Sequence, residues 1–150
     1  MRSLRSLFIV AGAAGVVFAI SILGPSAVAG STLQPLHITK ECSQFTGNVP
    51  SFCTITSSNL TQIPVGSKVF YFGPLLTDPN YFSSRVVLRA GQGNKARGYC
   101  SLVVIDPGVD EHGTCVFWKG TGTLQGFHAG IDYMIDSGGI LHWDGTYRFD

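Results

Sequence analysis

The stretch Gly120–Phe149, GTGTLQGFHAGIDYMIDSGGILHWDGTYRF, contains two runs of alternating apolar and polar residues on either side of Ser137–Gly139. Alternation with a period of two is typical of half-buried β-strands, and a short glycine-containing segment between two such runs predicts an antiparallel hairpin. With Ser137–Gly139 as a three-residue loop, Asp136 lies opposite Ile140, and the numbers of paired residues sum to 276. A shift by one residue would place apolar side chains beside polar ones, so the pattern favours this register.

The two faces of this hairpin point to different kinds of site. The apolar face supplies the candidate ligand-binding residues, which are Phe127, Tyr133, Trp143 and Tyr147. The polar face opposes Asp132 to Asp144 and places His142 diagonal to Asp132. Two facing carboxylates repel unless solvent, a cation, Arg148 or a shared proton relieves them, and a shared proton would give an acid/base pair. Asp132, Asp144 and His142 are therefore the candidate catalytic residues, although a solvated exterior is the simpler interpretation because charged residues are mostly exposed.

Short strand-like runs separated by turn residues recur through the rest of the chain, and no window beyond residue 30 keeps the 3.6-residue period of a helix. The predicted strands are Leu33–Lys40, Phe52–Ser58, Lys68–Phe72, Ser84–Ala90, Arg97–Ile105, Gly113–Trp118, Thr123–Asp136 and Ile140–Phe149. Eight short strands with short connections predict an all-β protein that is either a sandwich or a closed barrel, and only closure removes the exposed edges.

The start of the chain predicts export. Arg2 and Arg5 precede an uncharged apolar run, and Ala27–Ala29 supplies the small residues of a cleavage site. We therefore predict a cleavable signal peptide over residues 1–29, a single domain over 30–150, and a secreted or periplasmic protein with no membrane span after cleavage. An uncleaved anchor is the alternative. Residues 30–150 hold 8 basic and 9 acidic residues, a formal charge of −1, so a nucleic-acid partner is not expected.

All four cysteines lie beyond the predicted signal peptide, and an even count in an exported chain predicts two disulfides. Three pairings exist. We favour Cys42–Cys53 and Cys100–Cys115, because each pair brackets one turn-rich segment between two strand-like runs. A zinc site is the alternative, but no Cys-x-x-Cys spacing occurs and the compartment is oxidising. We predict neither a metal nor a cofactor.

Several segments resemble the allene oxide cyclase barrel-like and dirigent families. Arg97–Cys100, Cys115–Phe117 and Gly120–Phe127 are similar to motifs of these families, while Pro35–Cys42 and His142–Phe149 resemble small secreted bacterial proteins assigned to the same superfamily. The resemblance covers most of residues 33–149 and implies an eight-stranded antiparallel β-barrel. It carries no activity across, because the functional residues of the plant proteins have no residue-by-residue counterpart here.

These observations lead to three functional hypotheses. The first is a barrel that binds a small apolar or aromatic ligand, because the predicted strands are rich in aromatic residues and an eight-stranded barrel can hold one small molecule. The second is a cofactor-free isomerase or dirigent-like enzyme that acts on such a ligand. The third is a cell-surface structural or interaction protein, with Pro74–Phe82 as an exposed adhesive loop. The sequence does not indicate an oligomeric state.

Overall fold

A computed structural model of the chain describes residues 32–46, 49–73, 81–106 and 110–150. The eight strands are β1 (Gln34–Glu41), β2 (Ser51–Ser58), β3 (Lys68–Phe72), β4 (Tyr81–Arg89), β5 (Lys95–Asp106), β6 (Asp110–Thr121), β7 (Phe127–Ile135) and β8 (Leu141–Phe149). Each strand pairs antiparallel with the next, and β8 pairs with β1, so the sheet closes into a barrel. The prediction of an all-β, eight-stranded antiparallel barrel is confirmed, and the sandwich alternative is wrong. The predicted signal peptide lies outside the described residues.

The alternation read from the sequence sets the inside and the outside of the barrel. In β4, for example, Phe82, Ser84, Val86 and Leu88 are buried, whereas Arg85 and Arg89 between and after them are exposed. Apolar side chains at such alternate positions form one continuous core inside the closed sheet. Burial of this apolar surface on one face only is what fixes the register of each strand.

The C-terminal hairpin forms in the predicted register. Phe127 pairs with Phe149 at one end of β7–β8, and Ile135 pairs with Leu141 at the other. Gly139 has a φ of +77°, which is the left-handed conformation that a loop of this length needs at one position. The apolar face of the hairpin points into the barrel, so its prediction as core is confirmed.

The seventh strand begins later than the sequence predicts. We expected a strand from Thr123, but Gly122–Leu124 form a short 3₁₀ turn and β7 starts at Phe127. Gly122 and Gly126 have φ values of +62° and +74°, which interrupt the extended conformation on both sides of the turn. The side chain of Leu124 is fully buried and fills one end of the barrel, which explains an apolar residue outside a strand.

The two ends of the barrel differ. At the end where β2 and β6 finish, the buried side chains of Leu60, Ile63 and Leu124 fill the interior beneath the connecting segments. At the opposite end, disulfides join Cys42 to Cys53 and Cys100 to Cys115, so both predicted pairings are confirmed. Two disulfides indicate an oxidising, extracytoplasmic compartment. Within the described ranges, no helix has the length and apolar character needed to cross a membrane.

Candidate functional site

A cavity of about 510 Å³ occupies the disulfide-bearing end of the barrel. Its described lining is mainly apolar or aromatic: Phe45, Phe82, Leu102, Tyr133, Ile135, Leu141 and Trp143, together with all four cysteines. The side chains come from strands all around the barrel, because inward positions near one end converge on the same space. Phe45, from the segment after β1, packs edge-on against Tyr71 at 5.2 Å and Phe82 at 5.8 Å between ring centroids.

Lys40 is the unusual member of this lining. It follows Leu36 and Ile38 on the inward face of β1, and the residue is only 1% exposed. Its Nζ donates a hydrogen bond of 2.5 Å to the hydroxyl of Tyr71. Lysine is almost never fully buried unless an acid pairs with it. Within the described residues, no carboxylate lies within ion-pair distance of this amine.

Three aromatic rings surround the amine. Nζ lies 4.1 Å from the ring centroid of Trp143, 5.2 Å from that of Tyr133 and 5.3 Å from that of Tyr71. Ring faces attract a cation, so this cage is the only stabilisation that the described part of the cavity offers to a charged Lys40 besides the Tyr71 hydroxyl. The indole Nε1 of Trp143 is itself buried and has no hydrogen-bond partner in the described residues.

Burial controls the protonation of this pair. Removal from water disfavours the charged form of each group, so it holds the pKa of Lys40 well below its usual range and raises the pKa of Tyr71. The Tyr71 phenol therefore keeps its proton at neutral pH. The remaining neighbour of the hydroxyl is Sγ of Cys53 at 3.9 Å, which is part of a disulfide and carries no proton to donate.

Glu41 also lines the cavity, but its carboxylate is hydrogen-bonded to the backbone and does not pair with Lys40. Its Oε2 accepts a hydrogen bond of 2.9 Å from the backbone N–H of Ser43. Hydrogen bonds from Ser43 are the main reason that the pKa of Glu41 is lowered. Adjacent strand residues point to opposite sides of a sheet, which keeps this carboxylate away from the inward-pointing amine of Lys40.

The predicted catalytic residues lie on the outer face of the hairpin. Asp132 and Asp144 are directly opposite each other and both are exposed. Nδ1 of His37 on β1 lies 2.8 Å from Oδ1 of Asp144. His142 contacts Asp136 rather than Asp132, with 2.9 Å between Nε2 and Oδ2. The catalytic role of these residues stays a prediction, and the structure separates them from the cavity inside the barrel.

The predicted ligand-binding residues divide into two groups. Tyr133 and Trp143 line the cavity. Phe127 and Tyr147 also point inward but lie toward the filled end, where their ring centroids are 6.2 Å apart. Other aromatic residues of the predicted strands do not reach the interior. Phe70 and Phe72 stack 6.3 Å apart on the partly exposed outer face of β3, and Trp118 is exposed.

Sequence reasoning missed Lys40 and Tyr71. Both carried a signal, since Lys40 continues the alternation of Leu36 and Ile38, and Tyr71 alternates with Val69. In the sequence, Lys40 is only the last residue of a predicted strand, and a lysine there gives no reason to expect burial because lysines are mostly exposed. Only the closure of the barrel shows that this position faces a cavity and meets Tyr71, which is 31 residues away along the chain.

The fold and the cavity together define the class of this protein. It is a disulfide-stabilised, eight-stranded antiparallel β-barrel with an interior that is filled at one end and hollow at the other. No protein-family description, curated protein or solved structure matches the chain.

Proposed function

We propose that this protein binds one small apolar or aromatic molecule in the cavity at the disulfide-bearing end of the barrel. The cavity itself carries the proposal. Its volume of about 510 Å³ lies within the range of small-molecule sites, and a mainly apolar lining with a few convergent polar groups is typical of such sites. The apolar walls supply affinity through burial, and Lys40 and Tyr71 supply the polar contact that orients the ligand.

The ligand fits at one end only. The other end of the lumen is occupied by buried side chains such as Leu124 and Phe127, so the hollow part is a cup rather than a channel through the barrel. The two disulfides at the hollow end join β2 to the segment after β1 and join β5 to β6. These cross-links keep the walls of the cup in place without a ligand, which reduces the ordering cost of binding.

A neutral fluorescent probe tests this proposal. N-phenyl-1-naphthylamine should brighten on binding to the wild-type protein, because its emission rises in an apolar environment. Leu102→Trp adds a large side chain to the cavity wall and should weaken binding by at least about tenfold. Val103→Trp is the matched control, since the next residue of β5 points outward and is 48% exposed. Equal binding by both variants would place the probe elsewhere and reject the proposal.

A cofactor-free isomerase is the second candidate, and one observation favours it. The cavity contains a hydrogen-bonded pair of titratable groups, Lys40 and Tyr71, both of which are buried. Such a pair can take up and return a proton on a bound ligand. The predicted catalytic trio on the outer face of β7 and β8 would need a separate substrate site. Single Asp132→Asn and Asp144→Asn exchanges that leave turnover unchanged would exclude that trio.

The remaining expectations concern context. We propose that the protein is exported by the signal peptide over residues 1–29 and belongs with the allene oxide cyclase barrel-like group. The two disulfides support export, and the strand number supports the grouping. The adhesive-loop hypothesis rests on residues 74–80, which lie outside the described residues. Phe82, at the end of that segment, is 5% exposed and belongs to the core.

A further inference from the structure

The amine of Lys40 lies in an aromatic cage, yet its desolvation and its lack of a paired acid favour a nucleophile. It is buried, lines the cavity and has no acid beside it in the described part of the chain. Desolvation lowers its pKa, so the neutral form with a free lone pair is more populated at a given pH than in an exposed lysine. A lysine desolvated in an apolar pocket is one of the established ways in which proteins make an amine reactive toward carbonyl groups.

The hydroxyl of Tyr71 supplies the proton handling that carbonyl addition needs. It lies in hydrogen-bond contact with Nζ of Lys40, and burial keeps it protonated. Because Lys40 is only 1% exposed, a carbonyl compound reaches Nζ when one of the surrounding rings moves aside, and its oxygen then lies close to this hydroxyl. The phenol can then donate a hydrogen bond to the oxygen as negative charge develops on it, which is the usual way in which such charge is stabilised.

We propose that Lys40 forms an imine with a small apolar aldehyde or ketone that enters the cavity. The inference rests on the proposed function, because the apolar walls must first hold the body of the ligand. The Nζ lone pair attacks the carbonyl carbon, and the carbonyl π electrons move to oxygen. A proton passes from nitrogen to oxygen to give a carbinolamine. The Tyr71 phenol then donates its proton to the carbinolamine hydroxyl as the C–O bond breaks and water leaves, and the second N–H proton passes to the tyrosine oxygen, which gives the neutral imine and restores the phenol. No oxidant or reductant takes part.

The surroundings favour an apolar carbonyl compound over other partners. The aromatic rings that would receive an ammonium ligand are already occupied by Lys40 itself. A sugar aldehyde would bury hydroxyl groups against the rings of Phe45 and Phe82, which offer them no hydrogen bonds. An aromatic or aliphatic aldehyde places its apolar body against these walls and its single polar group at Lys40.

Reductive trapping tests the inference, and the chain contains its own controls. The sequence has four lysines, of which Lys68, Lys95 and Lys119 are exposed. The protein is incubated with 2-naphthaldehyde and sodium cyanoborohydride near neutral pH, and the adduct is located by peptide mass spectrometry. An exposed lysine is neutral in only about 0.04% of molecules at pH 7. We therefore expect Lys40 to carry at least about ten times more naphthylmethyl adduct than any other lysine.

Two variants distinguish a reactive amine from nonspecific labelling by a bound apolar aldehyde. Lys40→Met should lose the preferential adduct. Tyr71→Phe keeps the ring but removes the hydroxyl, so it should slow adduct formation. The affinity of each variant for N-phenyl-1-naphthylamine is measured in parallel, and the loss of adduct should exceed the loss of probe binding. Naphthalene-2-methanol, which has no carbonyl group, should protect Lys40 from the aldehyde.

The outcomes distinguish this inference from the proposed function. Even labelling of the four lysines, in a protein that binds the neutral probe, would overturn the imine inference and leave ligand binding standing. A total amount of adduct in Lys40→Met equal to that in the wild type would overturn the imine inference as well. Failure of the wild-type protein to bind the neutral probe would reject the proposed function itself.

Discussion

The stability of this protein should depend on pH through one buried side chain. In the unfolded chain, Lys40 is in water and holds its proton up to about pH 10.4. In the folded chain, burial lowers its pKa well below that value. Between the two pKa values, the unfolded state binds one proton more than the folded state. The free energy of unfolding therefore rises with pH in that window, whereas an ordinary surface lysine adds no such slope.

The size of the effect follows from proton linkage. One proton of difference changes the free energy of unfolding by about 1.4 kcal/mol per pH unit. Between pH 7 and pH 9, Lys40 can therefore contribute up to about 2.7 kcal/mol of added stability. The raised pKa of Tyr71 has the opposite sign, but it acts only above about pH 10, where the unfolded tyrosine ionises. The interval from pH 7 to 9 thus isolates the lysine.

Urea unfolding at pH 7, 8 and 9 measures this contribution. Lys40→Met should remove the extra slope, because methionine has no proton to exchange. Lys68→Met is the matched control, since Lys68 lies on the outer face with its Nζ 4.2 Å from the ring centroid of Phe52 and should leave the slope as in the wild type. Parallel pH profiles for the wild type and Lys40→Met would refute the claim that this amine is desolvated.

Three further outcomes follow from the barrel walls and the hairpin. Gly145→Ala should lower the free energy of unfolding by about 1–3 kcal/mol, because a Cβ there would lie 2.1 Å from the carbonyl oxygen of Gly130. Gly130→Ala is the control and should cost less, since its Cβ would meet nothing within 4 Å. Urea titration compares the two variants. Asp136→Asn should flatten the loss of stability below about pH 4. Hydrogen bonds from His142 and from the backbone of Ile140 lower the pKa of this carboxyl in the folded protein, and their contribution disappears as pH falls through that pKa. Acid titration followed by circular dichroism measures the effect. Joint replacement of Cys100 and Cys115 by alanine should cost roughly 3 kcal/mol, since the bond closes a loop with a sequence separation of 15, and a smaller loss in urea would argue against that estimate.

Local patterns in the sequence were enough to predict the strands and the hairpin. Strict alternation shows which side chains share a face, so the register of β7 and β8 and the core role of Trp143 could be read without a structure. The disulfide pairing was equally local, because each cysteine pair joins neighbouring segments of the chain. These features depend on residues that are close in sequence or related by one turn.

The cavity could not be predicted in this way, because it depends on which strands meet when the barrel closes. Lys40 and Tyr71 come from β1 and β3, and Trp143 comes from β8. Their convergence requires the pairing of β8 with β1, which no short pattern encodes. The same closure places His37 beside Asp144 on the outside of the barrel, a contact that the hairpin alone does not reveal.

The position of Lys40 is costly for stability, and that cost is an argument for function. A methionine at the same place would continue the apolar alternation of Leu36 and Ile38 without a desolvated amine. Sites that sacrifice stability in this way are commonly functional ones.

The slope of stability with pH and the formation of an imine adduct should both disappear in Lys40→Met. In Tyr71→Phe, the slope of stability with pH should remain, because burial is the main cause of the lowered Lys40 pKa. Adduct formation should slow, because the proton donor is gone. Retention of the slope with slower adduct formation would assign desolvation to the barrel and proton transfer to the tyrosine, whereas loss of both would mean that the hydroxyl itself keeps the amine neutral.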